Sequence, residues 1–559
     1  MPRVSELITQ SYLNGDAGLG QLPAPFENRF DEVNAQLADI AINIGSLGAR
    51  DAATDPAFDN KAIFDQAFAL LPNGGTVILP TGKVFVTDTI QIPSGITLDL
   101  NGSTLKLKSG VAQYHNVVNI GGVTEAVNVT VRNGKIDGNR TGQTEDFYHY
   151  GIYILTCNGV TVEDVEIVSC DGEGLYIGYT GFLARNVNIR NIKLSDNTRN
   201  DWAIVNVNGL YADTIIIDSI AYNSASVDFE FHGDGDSLRN IYINNLSVHS
   251  NVQPVKMLTN DKAGTLENIN ISNITLTGTK GLAALNFDNV KITNLKTQGP
   301  IEFIGCENFD IGGLESKGVT GNGVYVYPSA APSVVKNPKN ITMTGLDISG
   351  ASGTGFILQG VKTARISALR SYNNGTDGIG VFFNNDDVWL TNVVTTDTRS
   401  SGKTQKYGIN FQGTNTKLSF INVIADGNLT GSYQNFPIVA FEVGPSVYRY
   451  ISPDGLNSFA LALDNLFNLR WPGQLQAKRY CITAQTASAS VNVGEIFEDT
   501  DGGLKYVNRA GVLKKTDNRV SVPASASATG SVGDWAADSS YFYICHATNT
   551  WKRVGISTW

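Results

Sequence analysis

A chain of 559 residues is too long for a single compact core, because cores stop growing near roughly 250–300 residues. Hydrophobic content of 42% excludes wholesale disorder, while only 17% charged residues, 58 glycines and about fifty asparagines depart from ordinary globular usage. A net charge of −11 argues against nucleic acid or an anionic membrane as the main partner. No apolar run approaches the roughly 20 residues of a membrane span, so no membrane insertion is expected. The opening MPRVSELITQ lacks the basic-then-apolar pattern of a secretory signal. Cys157, Cys170, Cys306, Cys481 and Cys545 stand singly and read as buried small hydrophobes, not as a disulfide frame or zinc site.

Residues 1–25 form a leader punctuated by Gly15, Gly18, Gly20, Pro23 and Pro25. Phe26, Phe30, Val33, Leu37, Ile40 and Ile44 follow at spacings of 4, 3, 4, 3 and 4, an a/d stripe that predicts a helix over 26–48. It reads either as one amphipathic helix on the domain or as a short coiled-coil neck joining identical chains, stopped by Gly45 and Gly48. Over 49–110 the pattern predicts a helix from Asn60 to Leu71, capped by Asp59, with Ile63, Phe64, Ala67 and Phe68 on one face. Short strands Thr76–Leu79, Val84–Val86 and Ile96–Leu100 come next, separated by Pro- and Gly-rich turns.

Residues 111–436 repeat. A small or turn residue precedes an apolar-x-apolar run at 151, 174, 226, 254, 300, 323, 355, 378 and 408. The steps are 23, 52, 28, 46, 23, 32, 23 and 30, with 52 and 46 each spanning two units. A period of 20–30 with short strands predicts a parallel β-solenoid, in which each coil buries its face against its neighbours. Asparagine suits turn positions of left-handed conformation and can stack between coils. The repeat fades near Phe436, a connecting region covers 437–480, and 481–559 reads as a small β-rich terminal module.

The segments Gly48-Ala-Arg-Asp, Gly74-Gly-Thr-Val-Ile-Leu-Pro-Thr-Gly and Ile92-Pro-Ser-Gly-Ile-Thr-Leu, leading into this repeat, resemble the opening of bacteriophage tailspikes of the pectate-lyase-like type. The closing stretch from Val522-Pro-Ala-Ser to Trp551-Lys-Arg-Val resembles a module that ends many phage fibres. The resemblance spans about residues 48–559. It implies an all-β fold: a right-handed parallel β-helix with a short α-helical neck and a small C-terminal module. It also implies a homotrimer, made in the host cytoplasm and carried on the virion tail through residues 1–25. Such a spike binds and usually cleaves a bacterial surface polysaccharide and needs no cofactor. Catalytic positions vary among such spikes, so the resemblance names no active site.

Alternation supplies candidates. Within Ser226-Val-Asp-Phe-Glu-Phe-His-Gly, Val227, Phe229 and Phe231 point inward, leaving Asp228, Glu230 and His232 on the outer face. Tyr153 and Tyr176 align with Asp228 in earlier units, and Lys256, Glu302 and Tyr325 continue the column, with Tyr327 beside it. Glu173, Asp201 and Trp202 sit at nearby unit starts. Carboxylates crowded among aromatics suit glycosidic cleavage: one acid, one base or nucleophile, and rings for sugar faces. The expected catalytic set is Asp228, Glu230, Glu173 and Asp201. The expected binding set is Tyr153, Tyr176, Trp202, Lys256, Glu302, Tyr325 and Tyr327, with no metal.

Blander readings compete. An outward acid is usually a solvated charge, His232 can be a structural neighbour, and the tyrosine column serves equally well as a trimer contact. Asp386-Asp387, beside Phe382, Phe383 and Trp389, reads as a turn. The acids of 228–236 lack an EF-hand frame for Ca²⁺. Two rival functions stay open. A polysaccharide lyase would take its base and charge-masking cations from Lys256, Lys262, Arg239 or His232. A non-enzymatic adhesin would use the groove alone.

Overall fold

The computed structural model describes residues 41–144, 148–219, 225–250, 252–330, 335–434 and 518–557, with three further strands at 496–515. The leader 1–25, the neck positions Phe26 to Ile40 and the connecting region 437–480 lie outside the described residues. The first of two compact units is a β-solenoid built from a 14-stranded sheet of short strands and a 17-stranded sheet of mostly longer ones. Pairing between successive coils is parallel throughout both sheets. The short strands fall where the sequence repeat places them, and the two double-length steps are filled by Trp202–Ile204 and Leu282–Leu285.

Strict alternation makes the core. Ile152, Leu175, Trp202, Val227, Val255, Leu282, Ile301, Val324, Phe356, Ile379 and Ile409 are in-register neighbours on successive coils, and all are buried. This corrects the expectation for Trp202. Its coil puts Trp202 opposite Leu175 and Val227, so the indole fills the core at 0% exposure and cannot be a sugar platform. Trp202→Ala is expected to cost about 3–5 kcal/mol through lost burial and the cavity left behind. Denaturant unfolding checks this, and an unshifted midpoint would return Trp202 to the surface.

The asparagines explain the long strands. Each of the longer rungs bends at one or two residues of positive φ, among them Asn186 and Asn191, Asn240 and Asn245, and Asn268 and Asn273. Asparagine tolerates that left-handed conformation better than most residues. Its amide also bonds to the equivalent position one coil away, satisfying polar groups along the bend. Asn268 Nδ2 donates to Asn240 Oδ1 at 3.0 Å, Asn308 to Asn289 at 2.9 Å, and Asn340 to Asn308 at 2.9 Å. A second ladder carries Asn294 to Asn273 at 2.9 Å and Asn422 to Asn392 at 2.8 Å.

At the N-terminal end, the helix Lys61–Ala69 buries Phe64, Ala67 and Phe68, and Lys61 N–H donates to Asp59 Oδ1 at 3.0 Å. The predicted neck stripe ends differently from its expectation. Ala41–Asn43 is a strand paired with Gly75–Ile78, and Ile44 opens a 3₁₀ turn and is fully buried in the solenoid core. Ile44 serves the core because the chain has already joined the sheet before it. In the second unit, Trp535–Ala537, Tyr541–Ala547 and Thr550–Gly555 form an antiparallel sheet over Ala536, Tyr543, Cys545 and Trp551. A further antiparallel three-stranded sheet joins Ile496–Glu498, Leu504–Val507 and Leu513–Lys515.

Candidate active site

The strand Ala225–Glu230 buries Val227 and Phe229 and turns Asp228 and Glu230 to the other face, as alternation requires. Asp228 is in register with Ala203 on one side and Lys256 on the other, and the column continues through Ala283 and Glu302 to Tyr325. On the preceding coils Tyr176 pairs with Ala203 and Tyr153 with Tyr176. The sequence-derived register is therefore the register of the sheet.

Around Asp228 the coils assemble a compact charged cluster. Lys256 Nζ lies 3.6 Å from Asp228 Oδ2, and His232 Nε2 lies 2.9 Å from Glu230 Oε1. The other imidazole nitrogen is hydrogen-bonded to the Tyr176 hydroxyl at 3.3 Å. Arg199 Nε stands 3.4 Å from Glu173 Oε1. The rings of Tyr150 and Tyr176 stack at 5.3 Å, Tyr153 meets both edge-on, and Tyr179 packs edge-on against His232 at 5.4 Å.

Exposure separates the charges by sign. The side chains of Glu173, Asp228 and Glu230 are 0%, 3% and 13% exposed, whereas those of His232, Arg199 and Lys256 are 24%, 35% and 37% exposed. The carboxylates thus form the floor of the site and the cations its rim.

Burial and neighbours then drive the carboxyls apart. Burial pushes Asp228 up to about 6, reinforced by the negative charge of Glu230 and opposed by Lys256. Burial also lifts Glu230, but the hydrogen bond and charge of His232, with Lys256 and Arg199, outweigh it and hold Glu230 below the ordinary glutamate range. His232 is raised, because its bond to Glu230 outweighs its burial. Burial pushes Glu173 up to about 7 against the pull of Arg199. One strand therefore presents a carboxyl that holds its proton to higher pH than an ordinary aspartate and a neighbour that ionises below the ordinary glutamate range.

Glu173 is fully buried, and among the described residues neither carboxyl oxygen has a side-chain hydrogen bond. A carboxyl whose folded pKa is raised favours the protein while protonated, so that contribution is present below about 4.5 and is lost as pH climbs through about 7. Glu173→Gln is accordingly expected to stabilise the fold at pH 8 by on the order of 2 kcal/mol, and to change it little at pH 4. Thermal melts at the two pH values check this; equal shifts at both would show that ionisation is not the cause.

Not every expected residue joins the cluster. Asp201 is buried and accepts a hydrogen bond from Asn197 Nδ2 at 2.8 Å. Glu302 lies three coils beyond Asp228 in the same column, roughly 14 Å away at the inter-strand spacing. Tyr325 and Tyr327 lie one coil further, their rings 4.1 Å apart. The acidic pair near Trp389 departs from the turn expected for it: it opens the strand Asp386–Thr396, in which Asp387 has positive φ and accepts from the Trp389 indole Nε1 at 3.0 Å. Arg199, Asn200, Tyr150 and Tyr179 were not anticipated. They occupy bends between strands, where alternation gives no direction; the polar run Asn197-Thr-Arg-Asn-Asp was the signal available.

No family model matches the chain. Its sequence is similar to a capsule K30/K69-specific depolymerase of Klebsiella phage K64-1, with 66% identity over 74 residues, 12% of this chain and 10% of that protein. It is similar also to depolymerase 1, K30/K69-specific, of Klebsiella phage K5-2, with 30% identity over 148 residues, 25% of this chain and 17% of that protein. The chain therefore spans between a tenth and a sixth of the length of these curated relatives. Among solved structures, tailspike protein 3 of bacteriophage CBA120 aligns over 92% of this chain and 76% of its own, with 12% identity and a TM-score of 0.45.

Proposed function

We propose that this chain is the depolymerising body of a phage tail spike, which binds a bacterial capsular polysaccharide along the short-strand sheet and hydrolyses its glycosidic bonds. The observation that carries the reading is the carboxyl pair on one strand: Asp228 and Glu230 on the same face, Asp228 3.6 Å from Lys256 and raised by burial, Glu230 2.9 Å from His232 and lowered by it. Asp228 gives its proton to the departing glycosidic oxygen. Glu230 deprotonates the attacking water or itself attacks the anomeric carbon. Tyr153 offers apolar ring surface beside the reacting sugar, with Tyr176, only 2% exposed, packed behind it, while Glu302, Tyr325 and Tyr327 extend the same face toward sugars further along the chain. Similarity to capsule-specific phage depolymerases supports the substrate class. Homotrimer formation and virion attachment through residues 1–25 belong to the same proposal.

One observation favours a second reading. Arg199, His232 and Lys256 form a cationic rim above the buried carboxylates, which suits an acidic sugar and the charge masking that a lyase needs. Incubation with purified K30 and K69 capsular polysaccharides separates the readings. Shorter saturated oligosaccharides mean hydrolysis. Ultraviolet-absorbing products carrying a new double bond mean elimination, and an unchanged chain length with binding means an adhesin.

A further inference from the structure

The long-strand sheet carries a feature that the site above does not use. Tyr211 and Tyr242 are register neighbours on adjacent coils, with rings stacked at 5.2 Å and only 11° from parallel. Both project outward, since the adjacent Ala212 and Ile243 are buried, and Tyr211 is 51% exposed. Two residues along the same strands runs a second outward column of Arg190, Asp213, Asn244 and Ser272. Between the columns lies a cleft of about 330 Å³, with tyrosines on one wall and these four polar side chains on the other.

The walls are held in place before any ligand arrives. Asn244 Nδ2 donates to Asp213 Oδ1 at 2.7 Å, and Ser272 Oγ donates to Asn244 Oδ1 at 3.0 Å. Arg190 pairs with Glu163 one coil earlier, and Asn268 Nδ2 donates to the Tyr242 hydroxyl. An aromatic wall facing amides, a hydroxyl, a guanidinium and a carboxylate matches a pyranose, which has apolar C–H faces and a rim of hydroxyls. A contact with another copy of this chain fits less well. The tyrosine column continues through Thr161 and Asn188 on one side and Asn270, then the ion-paired Lys291 and Asp310, on the other. Charged residues are depleted from the cores of chain–chain interfaces.

We propose that the cleft between Tyr211 and Asp213 is a second, non-catalytic glycan-binding site, which grips the polymer on a different sheet from the one that cleaves it. This rests on the reading of the ligand as a capsular polysaccharide.

The test uses the full chain carrying Asp228→Asn and Glu230→Gln, so that the probe is not consumed, with and without Tyr211→Ala and Tyr242→Ala. Binding of intact K30 and K69 polysaccharide is measured by titration, alongside KM and kcat of the tyrosine variants in the otherwise wild-type chain. The expected result is a 5- to 30-fold weaker affinity for the polymer and a raised KM, with kcat on short oligosaccharide fragments unchanged. Tyr211→Phe, which keeps the ring, should restore most of the affinity. Unaltered affinity in folded tyrosine variants would overturn this inference and leave the proposed function standing. A lower particle mass on Tyr211→Ala would overturn it in favour of a contact between copies. Absence of any binding or cleavage of these polysaccharides by the unaltered chain would remove the proposed substrate and this inference together.

Discussion

Asp228→Asn and Glu230→Gln are each expected to lower the rate of glycan cleavage by roughly 10²–10⁴, the usual contribution of a positioned acid or base. Both substitutions keep the shape of the side chain and remove the proton chemistry. Neither should disturb the fold, because the inward partners Val227 and Phe229 are untouched. Glycan binding should persist through the tyrosines and through Lys256, which loses only its 3.6 Å partner. The measurement is the appearance of reducing ends for folded variants, with binding followed separately. Near wild-type rates for both would move the chemistry first to Glu173, on the bend beside the cluster, and then along the column to Glu302.

The second large effect is on pH. If Asp228 must be protonated and Glu230 ionised, kcat/KM should be highest near or below pH 6 and fall about tenfold per unit once pH has passed well above that value. The sign follows from the environments. Burial and the Glu230 charge raise Asp228, so the active form is lost as pH rises, while His232 keeps Glu230 ionised to lower pH than an isolated glutamate. The two carboxyls interact, so the apparent values belong to the pair. Glu230→Gln removes the charge that helps raise Asp228, and the alkaline limb of its residual activity should move to lower pH. A profile that rises from pH 6 to pH 9 would sink the hydrolytic assignment and favour a base acting by elimination.

Alternation along a strand is a local property, and it was enough to foresee much of this molecule. It determined the solenoid, its coil length, and the inward set Val227, Phe229 and Phe231. It also gave the outward register that runs from Tyr153 and Tyr176 through Asp228 and Lys256 to Glu302 and Tyr325. The abundance of asparagine foretold the left-handed bends, because few other side chains adopt positive φ at small cost. What alternation cannot supply is the direction of a side chain at a bend, or the face of a strand too short to show a pattern. Trp202 looked like a surface aromatic until its coil was seated between Leu175 and Val227, where its neighbours leave it only the core. Glu173, Arg199 and Asn200 lie on bends whose conformation depends on the coils stacked against them, so their approach to Asp228 and Glu230 is a tertiary fact. The division of labour between the two carboxyls is tertiary as well. Sequence put them on one face, but only burial beside Lys256 and the His232 contact decide which keeps its proton.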